Sequence, residues 1–323
     1  MTLIAADART QLEEQGYVVL EDVFDPAVDF APIAAEWAEI LDGIARSLHA
    51  EGALGSTHDE LPFAERLMAL CAETGRSFHQ PFDISLPQKD IRPDTPLHVG
   101  PAVFGLLTHE RLLDAVEAFL GPELVSNPVQ HVRMKVPGRL LGPERARSYL
   151  AAKVPWHQDL GVLLPEADTS TILSCWVAMT DADEENGCMQ VVPGSHRQDL
   201  YDHCPTEPQT GIPEHLLRLD DAVTLPMRAG SVLCFGQNLI HGSLDNTSED
   251  RVRISMDLRY QPLGQPSGRP HFPSFVARSH AHPELVLRDP VVWAEMWVEA
   301  RDALSRGEIP AFTRWHADAP FCA

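Results

Sequence analysis

Hydrophobic and polar positions divide the chain into a helical first part and a strand-rich middle. Thr2 to Gln15 reads as a short amphipathic helix and Tyr17 to Leu20 as a strand. From Ala27 to Leu48 apolar residues recur at helical spacing, including Phe30, Ile33, Trp37, Leu41 and Ile44. Leu61 to Glu73 predicts another helix, and His109 to Leu120 one that stops at Gly121-Pro122. Ile84 to Val103, rich in proline and charge, predicts a long loop able to act as a lid. Strands are expected from Leu124 to about Gln261, followed by a Pro/Gly-rich linker at Gly264 to Pro273. Asp289-Pro290 then supplies the N-cap and first position of a final helix. Its apolar stripe, Val292, Trp293, Met296, Trp297, Ala300 and Leu304, is expected to pack on the outside of the strand domain.

The clearest alternation runs from Arg251 to Tyr260. Arg251, Arg253, Ser255, Asp257 and Arg259 share one face, and Val252, Ile254, Met256, Leu258 and Tyr260 the other. Either this is an edge strand with a wet face, or its polar face lines an internal cavity. The triplet His157-Gln158-Asp159, answered later by His241, favours the cavity. In a strand, residues i and i+2 point to one side, so His157 and Asp159 converge while Gln158 points away. Two histidines and a carboxylate cover one face of an octahedral metal and leave the opposite face open. His-x-Asp alone is weak: it recurs at His316-Ala317-Asp318, with no later histidine and no strand-like flank, and that copy is read as surface. A cavity-facing arginine suits a dicarboxylate such as 2-oxoglutarate. One end chelates a metal, while the far carboxylate needs a planar, bidentate cation. Ser255 would add a hydrogen bond beside Arg253.

Around these positions stand Trp156-His157-Gln158-Asp159, Cys175-Trp176-Val177-Ala178-Met179, Asn186-Gly187-Cys188-Met189-Gln190-Val191-Val192-Pro193-Gly194-Ser195-His196, His241-Gly242-Ser243, Asn246-Thr247-Ser248 and Arg253-Ile254-Ser255-Met256-Asp257-Leu258-Arg259-Tyr260. In this order and spacing they resemble the phytanoyl-CoA dioxygenase family of Fe(II)/2-oxoglutarate oxygenases, from about Gln130 to Pro262, with a weaker echo at Gln15 to Leu20. The resemblance implies iron ligands at His157, Asp159 and His241, and Arg253 as the anchor of 2-oxoglutarate. It places Trp176, Ser243 and His131 around the cosubstrate. The chain carries one residue more than usual between His241 and the arginine strand, so Arg251 competes with Arg253. Arg253 is preferred because the residues after it align without a gap. Lys135 is read as a substrate contact or a solvated strand end.

The fold so implied is mainly β with flanking helices: a double-stranded β-helix, or cupin-like jelly roll. A single catalytic domain is expected over 1–323, with a mostly helical part (1–125), a jelly-roll core (126–262) and a C-terminal linker and packing helix (263–323). The implied reaction consumes O2 and releases succinate and CO2, most simply hydroxylating a small molecule or natural product. An intact Asp159 argues against halogenation, since related halogenases lack that carboxylate. Desaturation, epimerisation or cyclisation would use the same cofactors. A different class also stays open: a non-catalytic jelly-roll binding protein with a structural or zinc site.

A net charge of −22 argues against nucleic-acid partners. No apolar run is long enough to span a membrane and no secretion signal is evident, so a cytoplasmic location is expected. The six cysteines form no CxxC pair, and Cys175 and Cys234 read as small buried hydrophobes in a reducing compartment. His196 is expected to hydrogen-bond backbone, and His203 and His215 to be solvated. The insert Gly138 to Lys153 is expected to shape a substrate mouth. Oligomeric state is not legible.

Overall fold

The computed structural model describes residues 6–142, 153–205, 210–307 and 310–322. Most of the insert at 138–153 lies outside the described residues, as do the first residues of the expected N-terminal helix.

The strands form two antiparallel sheets. The larger contains β1 (Tyr17–Leu20), β2 (Leu124–Ser126), β3 (His131–Lys135), β4 (Leu173–Ala178), β7 (Val232–Gly236), β9 (Arg253–Pro262) and β10 (Phe275–Arg278). Its order is β1-β7-β4-β9-β2-β10, with β3 also paired to β9. The smaller contains β5 (Met189–Val191), β6 (Val223–Leu225) and β8 (His241–Ser243) in the order β6-β5-β8. Together they make the expected jelly roll. β10, beyond the expected core boundary at 262, pairs with β2 and adds an edge to the sheet.

Alternation along the large sheet assigns its two faces. Cys175, Val177, Val232, Cys234, Ile254, Met256, Leu258 and Tyr260 join the hydrophobic cluster shared with the helices. Those helices are α1 (Ala6–Gln15), α2 (Pro26–Asp29), α3 (Ala31–Ala50), α4 (Phe63–Thr74), α5 (Pro101–Leu107), α6 (Glu110–Leu120) and α7 (Pro290–Arg306). α3 contributes Ile33, Trp37, Leu41, Ala45 and Leu48, a stripe at intervals of three or four residues. Because helices cover the apolar face of β9, its polar face turns inward between the sheets. That is why a strand with charged alternate residues is buried along nearly its whole length.

α7 starts as expected: the Asp289 carboxylate accepts from Val291 N at 2.8 Å. Trp293 and Trp297 are buried, with Trp293 against the rings of Phe104 and Phe275. Val292, expected on the stripe, is instead exposed. The linker after Gly264 is packed rather than free, since Arg269 and Phe272 are buried. A disulfide joins Cys204 to Cys322, a pairing that cysteine spacing did not suggest. Among the described residues no helix is long and apolar enough to cross a membrane.

Candidate active site

His157, Asp159 and His241 come together between the sheets, all buried, with one ligand atom of each within 4.8 Å of the others. His241 lies on β8, and His157 pairs with it as an isolated bridge: His157 N donates to His241 O (2.9 Å) and His241 N to His157 O (3.0 Å). The expected strand through Asp159 is not formed, because the chain turns there into a 3-10 segment, Asp159–Val162. Gln158 is extended and does point away. Its amide donates to Asp199 O and Asn238 O and accepts from Tyr201 N.

Each imidazole has its tautomer set by backbone. Nδ1–H of His157 donates to Pro155 O (2.8 Å) and that of His241 to Leu239 O (3.0 Å). Both Nε2 lone pairs are left free, and each lies 3.7 Å from Asp159 Oδ1. Burial, then the neighbouring His157, pushes His241 down to about 3, so it is neutral and able to ligate. Burial alone would raise the Asp159 carboxyl, but the Arg259 guanidinium and the adjacent histidines hold it well below the usual range. Arg259 forks onto both carboxylate oxygens, and Ser174 donates to Oδ2. Oδ1 thus faces the two histidines while Oδ2 is held from behind.

The triangle opens into a narrow cavity that Trp176, Ser243, Arg253 and Asp257 help to line. Arg253 is fully buried. Its Nη1 donates to Ser255 Oγ at 2.6 Å, and its guanidinium carbon sits 5.4 Å from the centre of the Trp176 ring. Its Nε and Nη2 are buried without a hydrogen-bond partner among the described residues. Burial pushes Arg253 down to about 10. Its cross-strand neighbour Lys135 is also fully buried, donating to Ser243 Oγ at 2.8 Å and to Leu244 O. Burial first, and then the charge of Arg253, hold Lys135 well below its ordinary value. A buried guanidinium whose Nε and Nη2 have no partner among the described residues, beside the buried Lys135 amine, fits an anionic ligand carboxylate. The residues present therefore fit both a divalent metal and a dicarboxylate cosubstrate.

Arg251 does not share the cavity face. It precedes β9 and pairs at the surface with Asp183 and Glu185. His131 stands apart as well. It is half-buried, bonded through Nδ1 to Asp83 (2.9 Å), and lines a different, larger cavity. His203, expected to be solvated, is buried against the metal strand and accepts from Gln158 N at 3.0 Å. Its ring fits because residue 161 is glycine; a Cβ there would lie 2.4 Å from the imidazole. His196 bonds Glu13 O, and both His215 and the His316–Asp318 triplet are exposed, as expected.

Sequence reasoning left Arg259 and Ser174 without a role at this site, and read Lys135 as a substrate contact or a solvated strand end rather than as the buried neighbour of Arg253. Period two was the available signal: Arg259 shares its face with Arg253, and Ser174 with Trp176.

An antiparallel jelly roll with a buried His-x-Asp brought against a distant strand histidine defines a mononuclear-metal site of the facial-triad class. Comparison with known proteins then identifies the family. The sequence profile of the phytanoyl-CoA dioxygenase (PhyH) family matches residues 12–255, and the chain belongs to that family. It is 28% identical over 153 residues to the peroxisomal phytanoyl-CoA dioxygenase of Bos taurus, covering 46% of this chain and 42% of that protein. It is 29% identical over 209 residues to the ectoine dioxygenase of Bordetella parapertussis, covering 57% and 64%. The matched region thus spans less than two thirds of either relative. Among solved structures, the non-haem monooxygenase ThoJ superposes with a TM-score of 0.57 at 18% identity, covering 93% of this chain and 98% of that one. The jelly-roll fold is shared.

Proposed function

We propose that this chain is an Fe(II)- and 2-oxoglutarate-dependent dioxygenase that hydroxylates an unactivated C–H bond of a small molecule, the whole chain acting as one catalytic unit. One observation carries this reading: the open-faced triangle of His157, Asp159 and His241 shares its cavity with Arg253, whose buried Nε and Nη2 have no partner among the described residues. A structural zinc site would need no such cation.

Bound there, iron and 2-oxoglutarate would supply the oxidising power, with O2 consumed and succinate and CO2 released. The remaining tasks belong to the protein. His157 and His241 present Nε2 because their Nδ1–H groups are committed to Pro155 and Leu239 carbonyls. Asp159 is fixed by Ser174 on Oδ2 and by Arg259 on both oxygens, which keeps Oδ1 facing the two histidines. Arg253 would hold the distal carboxylate of 2-oxoglutarate with Lys135 beside it, and Ser243 and Ser255 orient these two side chains. Trp176 stacks beside Arg253 and, with Phe235 and Met189, keeps water from the cavity. The partners are O2 and a small-molecule substrate.

The expected cytoplasmic location forms part of this reading, supported by the four buried free cysteines, Cys71, Cys175, Cys188 and Cys234. The Cys204–Cys322 disulfide pulls toward an oxidising compartment.

The test is release of succinate from 2-oxoglutarate by purified protein given Fe(II), O2 and a reductant. The wild type should turn over slowly even without substrate. His157→Ala and Asp159→Ala should lose roughly 100-fold or more. Metal binding without succinate, or undiminished turnover by His157→Ala, would sink the proposal.

A further inference from the structure

A second cavity, of about 480 Å³, lies beside the metal pocket. Its size falls in the range of roughly 300–1,000 Å³ typical of small-molecule sites. Arg133 and Arg259 line both cavities, so the two share a wall at the residues that pair with Asp257 and Asp159. None of His157, Asp159 and His241 lines this chamber; Arg259, bonded to Asp159, is the wall residue that links it to the metal triangle.

Part of the chamber wall comes from the far end of the chain. Arg269, Phe272, Phe312 and Thr313 line it, and all four lie beyond the stretch 12–255 that matches the family profile. The tail that carries Phe312 and Thr313 is tied to the segment just after Asp159. Arg314 Nε donates to Leu163 O (2.7 Å), and its guanidinium pairs with Asp168 at 2.6 Å. Trp315 Nε1 donates to Gly161 O (2.6 Å), and its ring stacks on His203. Arg269 donates to Phe312 O and Val162 O, and Cys322 closes the tail onto Cys204. This fixed wall lies outside the stretch that matches the family profile.

The chamber is also electropositive in a chain of net charge −22. Arg133 and Arg259 have carboxylate partners. Asp83 is committed to His131 and to the N–H groups of Ile84 and Val132. Lys89 at the rim and the buried Arg269 meet no carboxylate among the described residues, which leaves a cationic excess on a lining of Leu86, Val129, Val162 and Phe272.

We propose that this chamber binds the substrate, that the substrate is an anionic small molecule with an apolar body, and that Lys89 and Thr313 select it. Lys89 supplies charge at the rim; Thr313 sets the depth of the wall built by the C-terminal tail. Identifying the occupant as substrate rests on the oxygenase reading, whereas the binding site itself does not.

The test uses the full-length, disulfide-intact, metal-free protein and two fluorescent probes of one shape: anilinonaphthalene sulfonate and its uncharged relative, N-phenylnaphthylamine. The sulfonate should bind saturably and roughly two- to fivefold tighter than the amine, as one solvent-exposed charge contact allows. Lys89→Glu should remove that advantage and leave the amine unaffected. Thr313→Trp, an exposed position where a bulky ring can be carried without disturbing the core, should fill the chamber and weaken both probes. Equal affinity of the wild type for both probes would overturn the charge assignment, and full binding by Thr313→Trp would overturn the site. The same wild-type preparation, titrated anaerobically with Fe(II) and 2-oxoglutarate, reports on the oxygenase reading separately: its failure there would leave the probe result standing as a binding site only.

Discussion

At the scale of single residues, Arg253 and Arg251 separate a buried, cavity-lining cation from a surface one. Two positions apart, they look interchangeable by period. Arg253 lies fully buried beside Trp176, whereas Arg251 is held outside by Asp183 and Glu185. Replacing Arg253 with lysine keeps the charge and loses the fork, so the KM for 2-oxoglutarate should rise roughly 10- to 100-fold with kcat changed less. Arg251→Ala should leave that KM unchanged and shift stability by only about 0.5 kcal/mol, as for other exposed ion pairs. Steady-state kinetics of the two variants decides the matter, and a reversal of these effects would make Arg251 the anchor. The triad was legible because two ligands sit at i and i+2 and the third opens a recognisable motif. Lys135 was not, since a lysine at the end of a short strand is ordinarily solvated, and only its pairing opposite Arg253 buries it. His203 was hidden for a similar reason: its partner, the Gln158 amide, lies far away in sequence.

At the scale of elements, alternation along β9 announced two faces but not which one was inside. That was settled by the helices, whose apolar stripes cover Ile254, Met256, Leu258 and Tyr260. α5 went unread because Pro101 and Gly105 mask a short helix inside a loop-like stretch, and β10 because four residues carry little periodicity. The turn before β5 makes an element-level prediction. Gly187 has φ +92°, and a Cβ there would lie 2.7 Å from Leu244 O and 2.9 Å from Lys135 Cδ. Gly187→Ala should therefore cost about 1–3 kcal/mol in denaturant unfolding. It should also weaken 2-oxoglutarate binding by displacing Lys135. Wild-type stability and affinity in this variant would show that the turn does not buttress the cation.

At the scale of the whole molecule, the distribution of charge matters more than its sum. Arg66, Arg133, Lys135, Arg253, Arg259 and Arg269 are buried, so the surface is more acidic than a net −22 suggests. The buried histidines make the metal-free protein sensitive to acid. Burial pushes His79 and His203 down to about 4 and His241 to about 3. In the unfolded chain each titrates near pH ~6.5. Between those values the unfolded state binds more protons than the folded one, so stability is present at neutral pH and lost as pH falls. By pH ~5 each group should have forfeited ~1–2 kcal/mol. Urea midpoints of the metal-free protein at neutral pH and near pH ~5 measure this loss; a flat profile would mean that these histidines titrate normally when folded.

The most direct test of the central claim is anaerobic addition of Fe(II), followed by 2-oxoglutarate, with the visible spectrum recorded at each step. A weak metal-to-ligand charge-transfer band should appear only after the second addition, from 2-oxoglutarate chelating iron held by His157, Asp159 and His241. Iron that binds stoichiometrically yet gives no band with 2-oxoglutarate would contradict the oxygenase account and leave a jelly roll with a structural metal site.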